Sequence, residues 1–280
     1  MGAGASACDK AWGHGLDLKR MDFVADGEDW RAMFSEAGGC WRGSCNGMYP
    51  FFRLALFVVQ VSFIVQSIVS HVTFYDGMFG QWLTKLTHWA ALCLAAYFAL
   101  AAFASFKANA SSDTDADPST PWFARATVAL LATSPVICTT VSLLFWLLVY
   151  NAGDPLYFET FTMHGVNVAL ICIDLMTSRQ PYYLRHVFMP MAFAAAYVLF
   201  SYIYHIVGGT NEYGDKYIYK SLDWSNPTAT SGLSAMVIFI AAPVCHLFFW
   251  ALAAARGKCC EWPESARSVE RCGVGSMAEA

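Results

Sequence analysis

One segment of this 280-residue chain carries polar side chains at helical spacing among apolar neighbours. The polar residues are His164, Asn167 and Asp174, and Ile171 lies among them at the same spacing. At 100° per residue these positions fall within about 80° of one another, so they share one face of a helix. Polar groups in apolar surroundings are costly, which predicts that this face is turned toward other parts of the protein. His164 would then serve either as a base or as an interhelical hydrogen-bond clamp.

Asp174, at the far end of this face, also has two interpretations. We expect it to pair inside the protein, because a lone carboxylate in hydrocarbon costs at least about 2–3 kcal/mol. The alternative is that it pairs with Arg179 or caps the end of its helix.

A second apolar segment begins with Thr84, Lys85, Thr87 and His88. A hydroxyl that attacks and an imidazole that takes its proton are the minimum set for nucleophilic acyl transfer. Thr87 and His164 are the candidates for these two roles. The competing interpretation of Thr87 is structural, because a helical threonine commonly bonds the carbonyl four residues back.

The segments that must position these residues are long and apolar. Hydrophobic residues make up 57% of the chain and charged residues 14%, too few charges for the surface of a soluble domain. Uncharged runs of about 20 residues recur, each long enough to cross a hydrocarbon core of about 30 Å as a helix. The sequence therefore predicts an all-α polytopic membrane protein whose six transmembrane helices span residues 52–72, 83–106, 124–150, 160–178, 184–207 and 230–255.

Charge predicts the orientation of these helices. With the N-terminus inside, 14 of the 17 Lys and Arg residues fall in cytoplasmic segments, and only Lys85, Lys216 and Lys220 fall outside. Residues 1–50 then form a cytoplasmic segment, 51–255 the membrane domain and 256–280 a cytoplasmic tail. The small net charge of −4 suggests no nucleic-acid partner, and no spacing typical of a metal site appears, so no cofactor is expected.

The same topology brings the candidate groups to one depth. Thr87 and His164 each lie about four residues into helices that run from outside inward, so both belong to the outer leaflet. The fifth helix runs the other way and brings Tyr202 and His205 to that level. At the termini, Gly2 fits a myristoylation pattern, and Cys8, Cys259 and Cys260 are candidates for palmitoylation.

Several of these residues stand in motifs that resemble the rolling stone family. The motifs are Leu86-Thr87-His88-Trp89, His164-Gly165-Val166-Asn167, Asp174-Leu175, and the loop from Gly208-Gly209 through Tyr217-Ile218-Tyr219 to Leu222-Asp223-Trp224. The resemblance covers roughly residues 40–255. It implies a six-helix membrane protein associated with myoblast fusion.

That family is distantly similar to the androgen-induced and androgen-dependent membrane hydrolases, which cleave fatty acid esters of hydroxy fatty acids with an intramembrane threonine and histidine. The hydrolase threonine follows a Gly-Gln-Trp, and here Gly80-Gln81-Trp82 leads to Thr87, one residue further along. The histidine corresponds to His164. The resemblance thus implies Thr87 as nucleophile, His164 as general base, and Asn167 or a backbone amide as the group that orients the base or steadies the oxyanion.

Two functions of different classes follow. The first is hydrolysis of lipid esters, with membrane lipids or fatty acid esters as substrates. The second is a non-enzymatic role in cell contact or fusion through the outer loop, with membrane proteins as partners. A transporter has less support, since no charged pathway crosses the predicted bundle. For either function we expect the plasma membrane rather than the endoplasmic reticulum.

Overall fold

The computed structural model describes residues 30–35, 37, 46–74, 79–110, 120–153 and 155–258. Within these ranges the regular secondary structure is entirely helical. The predicted lipidation positions Gly2, Cys8, Cys259 and Cys260 lie outside the described residues.

Six of the described helices are long and apolar enough to cross a membrane, which confirms the predicted fold class. They are α1 Tyr49–Thr73, α2 Leu86–Ala110, α3 Trp122–Val149, α4 Phe158–Thr177, α5 Leu184–Ile206 and α6 Pro227–Arg256. Two short helices, Trp30–Ser35 and Phe79–Trp82, precede α1 and α2.

The centre of the bundle is formed by α2 and α3. More than half of the most apolar window of each is buried, against a third or less for the other four helices. Ala91, Ala101 and Ala104 of α2 are fully buried, because alanine lets neighbouring backbones approach closely. Larger side chains such as Phe98 and Leu131 fill the adjoining core. The alanine-rich α2 is therefore one of the two most enclosed helices.

At one end of the bundle α1 begins, and α4 and α6 end. This end contains Arg53, Arg185 and Arg256 and is called the arginine end. The Arg53 guanidinium donates to the Asp174 carboxylate at 3.2 Å, and both side chains are fully buried. The Tyr97 hydroxyl donates to the second carboxylate oxygen. Asp174 therefore pairs inside the bundle as expected, but its partner is Arg53 of α1 and not Arg179.

The opposite end, called the loop end, is closed by residues 208–226 between α5 and α6. Near this end, α2 begins at Leu86, three residues after the approximate predicted start at position 83, because the chain first forms the helix Phe79–Trp82. Thr87 consequently lies in the first turn of α2 and not a full turn inside it.

Candidate active site at the loop end

A cavity of about 1170 Å³ opens among the helices beneath residues 208–226. Every membrane helix contributes to its wall, through Gln66, Thr87, Phe145, His164, Tyr197 and Val237 among others. Its upper wall comes from the loop, including Glu212 and Tyr219. The structure therefore brings the two principal candidates, Thr87 and His164, to one cavity.

Thr87 sits where α2 begins and has a partner from the loop. The amides of a helix's first turn have no carbonyl one turn back to accept from them. Here the Tyr219 hydroxyl lies close to the N–H groups of Leu86 and Thr87 and to the Thr87 hydroxyl. Burial of the Tyr219 hydroxyl raises its pKa. Tyr219 thus stands at the start of α2, beside the donors that surround the candidate nucleophile.

A second tyrosine supports this arrangement from α5. The Tyr197 hydroxyl donates to the Thr84 carbonyl at 2.8 Å and lies close to Tyr219. One tyrosine from α5 and one from the loop therefore meet at the start of α2.

His164 lies in a π-helical turn, Thr162–Val166, at the start of α4. Its ring stacks on Phe145 with centroids 3.7 Å apart and planes 1° apart. Its carbonyl accepts from Ser142 and from the Trp146 indole, so α3 holds the backbone at this point as well as the ring. The Nδ1 atom is buried and has no hydrogen-bond partner among the described residues. The imidazole is therefore positioned by stacking and not by a carboxylate.

Three π-helical turns border this cavity in the described part of the chain, at Phe145–Val149, Thr162–Val166 and Val237–Ala241. A π turn widens a helix by one residue and occurs frequently at functional sites. Each of the three contributes lining residues, among them Phe145, His164 and Val237. The local widening of α3, α4 and α6 explains why space opens at this level.

Asn167 lies away from the cavity wall. It is buried, its amide nitrogen donates to the Met163 carbonyl at 3.3 Å, and its Oδ1 has no partner among the described residues. In this arrangement it contacts neither the Thr87 hydroxyl nor the His164 ring. Tyr202 and His205, which the predicted topology brings to the same level, instead support the loop: Tyr202 packs on Trp224, and His205 bonds the Lys216 carbonyl at 3.0 Å.

The loop 208–226 is fastened to the residues just before Thr87. Lys85 and Glu212 form an ion pair of 2.6 Å that is largely shielded from solvent. The Gln81 amide donates to the carbonyls of Thr210 and Asn211 at 3.2 and 2.9 Å. These bonds couple the position of Tyr219 to the start of α2.

A second polar chain at the loop end connects Glu159, Ser67 and His88. Ser67 donates to Glu159 at 2.6 Å and lies 3.2 Å from His88 Nε2, and the Trp82 indole donates to the same hydroxyl at 3.1 Å. His88 Nδ1 lies 2.5 Å from the Trp82 carbonyl oxygen. Because a carbonyl oxygen can only accept, Nδ1 carries the hydrogen and donates it. Glu159 and His88 line the cavity, whereas Ser67 does not.

Sequence reasoning missed the roles of Tyr219 and of this Glu159–Ser67–His88 chain. The loop tyrosines resemble an ordinary interfacial aromatic belt, so only the folded loop distinguishes Tyr219. Glu159 would have been a signal only with the observed bounds of α4, which place this carboxylate inside the membrane helix. Within the described ranges, no group of three or more His, Cys, Asp or Glu side chains could hold a metal ion.

Comparison with known proteins agrees with this architecture. The profile of the family described as "Protein rolling stone" matches residues 39–269, which is most of the chain. The Drosophila melanogaster protein of that name is 30% identical over 115 residues, and the aligned part spans 40% of each chain. No solved structure matches. Because the family profile extends from before α1 to beyond α6, this chain belongs to the rolling stone family.

Proposed function

We propose that this protein hydrolyses lipid esters in the cavity at the loop end, with Thr87 as nucleophile and His164 as general base. One observation carries the proposal: the Thr87 hydroxyl stands at the start of α2, beside the first amides of that helix, in a cavity that also contains the His164 ring. The N-terminal end of a helix favours negative charge, because its amides point outward and its dipole is positive there. The same place would therefore stabilise the oxyanion of a tetrahedral intermediate.

In the acylation step, the Thr87 oxygen attacks the ester carbonyl carbon while His164 takes the hydroxyl proton. The carbonyl oxygen becomes an oxyanion that accepts from the amides of Leu86 and Thr87. Collapse of the intermediate breaks the ester C–O bond, and the departing alcohol takes the proton from His164. The product is an acyl group on Thr87 and a free alcohol.

Water completes the cycle. His164 takes a proton from water, the resulting hydroxide attacks the acyl carbon, and the Thr87 oxygen leaves and regains a proton from His164. The free fatty acid is then released. No further reactant is needed, since the two steps together add one water across the ester bond.

Two contacts must change before this chemistry begins. The Tyr219 oxygen must leave the donors around Thr87, because the substrate carbonyl oxygen uses the same amides. The Thr87 hydroxyl must also turn from Tyr219 toward His164. Of the two groups expected for the oxyanion role, we assign it to the backbone amides of α2 and not to Asn167, because Asn167 does not line the cavity.

The substrate class follows from the walls of the cavity. Helix residues such as Leu144, Val198 and Leu233 make the deeper walls apolar, while loop residues bring polar groups to one side. Cavities that bind small molecules commonly measure about 300–1000 Å³, so this one accommodates a ligand with a long acyl chain. Fatty acid esters of hydroxy fatty acids fit that description.

The test is ester turnover by purified protein in detergent, with variants of the two proposed residues. Thr87→Ala, Thr87→Val and His164→Ala should each abolish turnover, and Thr87→Ser should retain part of it because the hydroxyl survives. The double variant Thr87→Ala/His164→Ala should be no slower than either single variant, because residues of one catalytic unit are not additive.

Thr140→Val is the matched control, since Thr140 is a buried threonine of α3 that does not line the cavity. It should retain turnover at the level of the natural protein. Full activity of Thr87→Val would exclude Thr87 as the nucleophile, and additive losses in the single and double variants would exclude a shared mechanism.

The alternative is a non-enzymatic protein of the plasma membrane that acts in cell contact through residues 208–226. The observation that favours it is the rigid anchoring of this loop on α2 and α5, with Tyr213 72% exposed. If the purified protein shows no ester turnover, and a variant of this loop impairs cell association, the result would support this function over hydrolysis.

A further inference from the structure

Four residues that line the cavity are also exposed on the outside of the bundle. They are Leu148, Val149, Tyr157 and Phe158, which are 45–65% exposed and lie at the end of α3 and the start of α4. By contrast, Met163 further along α4 lines the same cavity and is only 4% exposed. The exposed set is called the α3–α4 mouth, because it is the place where the cavity wall and the apolar outer surface are continuous.

The helices on both sides of this mouth are held together just beyond it. On the side toward the arginine end, the Trp146 indole donates to the His164 carbonyl at 2.9 Å, and Phe145 stacks on His164. Toward α1, Phe63 packs edge-on against Phe158, and Ser67 donates to Glu159. The mouth is therefore bounded by fixed contacts, and His164 stands at its inner margin.

The position of the mouth along α3 determines which part of a membrane it would contact. At 1.5 Å per residue α3 is longer than a hydrocarbon core of about 30 Å, so its last turn lies near the border of the acyl chains. Leu147, next to the mouth, is 75% exposed, and Trp146 and Tyr150 provide the aromatic groups typical of that border. Exposed leucine and phenylalanine side chains at this border favour contact with acyl chains over contact with water.

We propose that the α3–α4 mouth admits the acyl chain of a lipid directly from the bilayer into the cavity. This inference rests on the proposed function, and adds that the substrate is a membrane-resident ester whose chain lies across Leu148 and Phe158 toward Phe145 and Met163. The ester group then reaches Thr87 and His164 from the membrane side, while the polar part of the lipid stays beside the loop.

Photolabelling tests this path without requiring turnover. The full-length protein is placed in phosphatidylcholine vesicles that contain a palmitoyl ester with a diazirine at the end of its acyl chain. Illumination should attach the probe to Met163, which is nearly closed to the bilayer except through the cavity. Leu148→Trp should lower labelling of Met163 by about fivefold, which corresponds to about 1 kcal/mol for moving the larger indole out of the path of the acyl chain.

Leu147→Trp is the matched control, because Leu147 is more exposed than its neighbour and does not line the cavity. It should leave Met163 labelling unchanged, and Phe158→Ala should raise that labelling by widening the mouth. The proposal is overturned if Met163 is unlabelled while lipid-facing Leu199 is labelled. Equal effects of the two tryptophan variants would overturn it as well.

Turnover in the same vesicles separates this inference from the proposed function. If Leu148→Trp reduces the labelling of Met163 but no ester turnover is observed, the acyl-chain site is supported and hydrolysis is rejected. If a long-chain ester is hydrolysed and Leu148→Trp does not change the rate of turnover, hydrolysis is supported and access through the mouth is rejected.

Discussion

Tyr219 places its hydroxyl beside three possible donors: the amides of Leu86 and Thr87 and the hydroxyl of Thr87. A tyrosine oxygen that caps a helix and a substrate oxygen bound in an active site would both stand at the helix start, so the two arrangements look alike at this scale. They differ in function because tyrosine and substrate compete for the same donors. An ester carbonyl can use these donors only after the tyrosine oxygen has left.

Tyr219→Phe should therefore increase the reactivity of Thr87. Removing the hydroxyl takes away its polar interaction at the start of α2. One such interaction has a net worth of about 1 kcal/mol, which shifts the equilibrium between Thr87 covered by Tyr219 and Thr87 open to an ester by roughly fivefold. The measurement is the rate at which an electrophilic hydrolase probe labels Thr87. Tyr217→Phe is the control, since Tyr217 belongs to the same loop and lies beside Asp215 instead. A rate equal to that of the control would show that Tyr219 does not restrain Thr87.

Asp174→Leu should reduce stability sharply, because it leaves the fully buried Arg53 without its carboxylate. Removing one member of a buried ion pair typically costs about 3–5 kcal/mol, whereas replacing both members by apolar residues costs far less. Arg53→Met/Asp174→Leu should accordingly be more stable than Asp174→Leu in thermal unfolding of the detergent-solubilised protein. A double variant that is as unstable as the sum of the single variants would argue against the pairing.

At the scale of elements, the loop 208–226 and the start of α2 behave as one unit through Lys85–Glu212 and the Gln81 amide. The loop leaves α5 by a close turn in which Gly208 has a positive φ of 81°. A Cβ on Gly209 would lie 2.4 Å from the Tyr204 ring. That ring is held by its own bond to the Thr210 carbonyl.

Gly209→Ala should therefore loosen the loop. The Tyr204 ring must shift to make room, which breaks its bond to Thr210 and costs about 1–3 kcal/mol, as overpacking does. Limited proteolysis within residues 208–226 should become faster. Gly80→Ala is the control, because a Cβ there meets no atom within 4 Å. Unchanged proteolysis of Gly209→Ala would show that the ring yields without moving the loop.

At the scale of the whole molecule, six helices and a charge bias of 14 to 3 predict that both termini are cytoplasmic and that the loop end faces outward. Tags at either terminus should bind antibody only after the membrane is permeabilised. A tag inserted within 209–226 should bind antibody on intact cells. Surface labelling of an N-terminal tag on intact cells would reject this orientation and place the cavity on the cytoplasmic side.

The sequence by itself determined the class and the spans, because hydrocarbon requires each crossing segment to be apolar and internally hydrogen-bonded. It also determined that Asn167 and Asp174 are buried, since helical periodicity is a local property. It proposed Thr87 and His164, and these two residues do line one cavity.

Only the tertiary structure decided the partners of these groups. Arg53 meets Asp174 across 121 positions of sequence, and Tyr219 reaches Thr87 from a loop between two later helices. Such contacts depend on how helices pack and on where π turns widen them, and no local pattern encodes either. The same reason explains why Asn167, three residues from His164, lies away from the cavity: the π turn 162–166 changes the phase of the helix between the two.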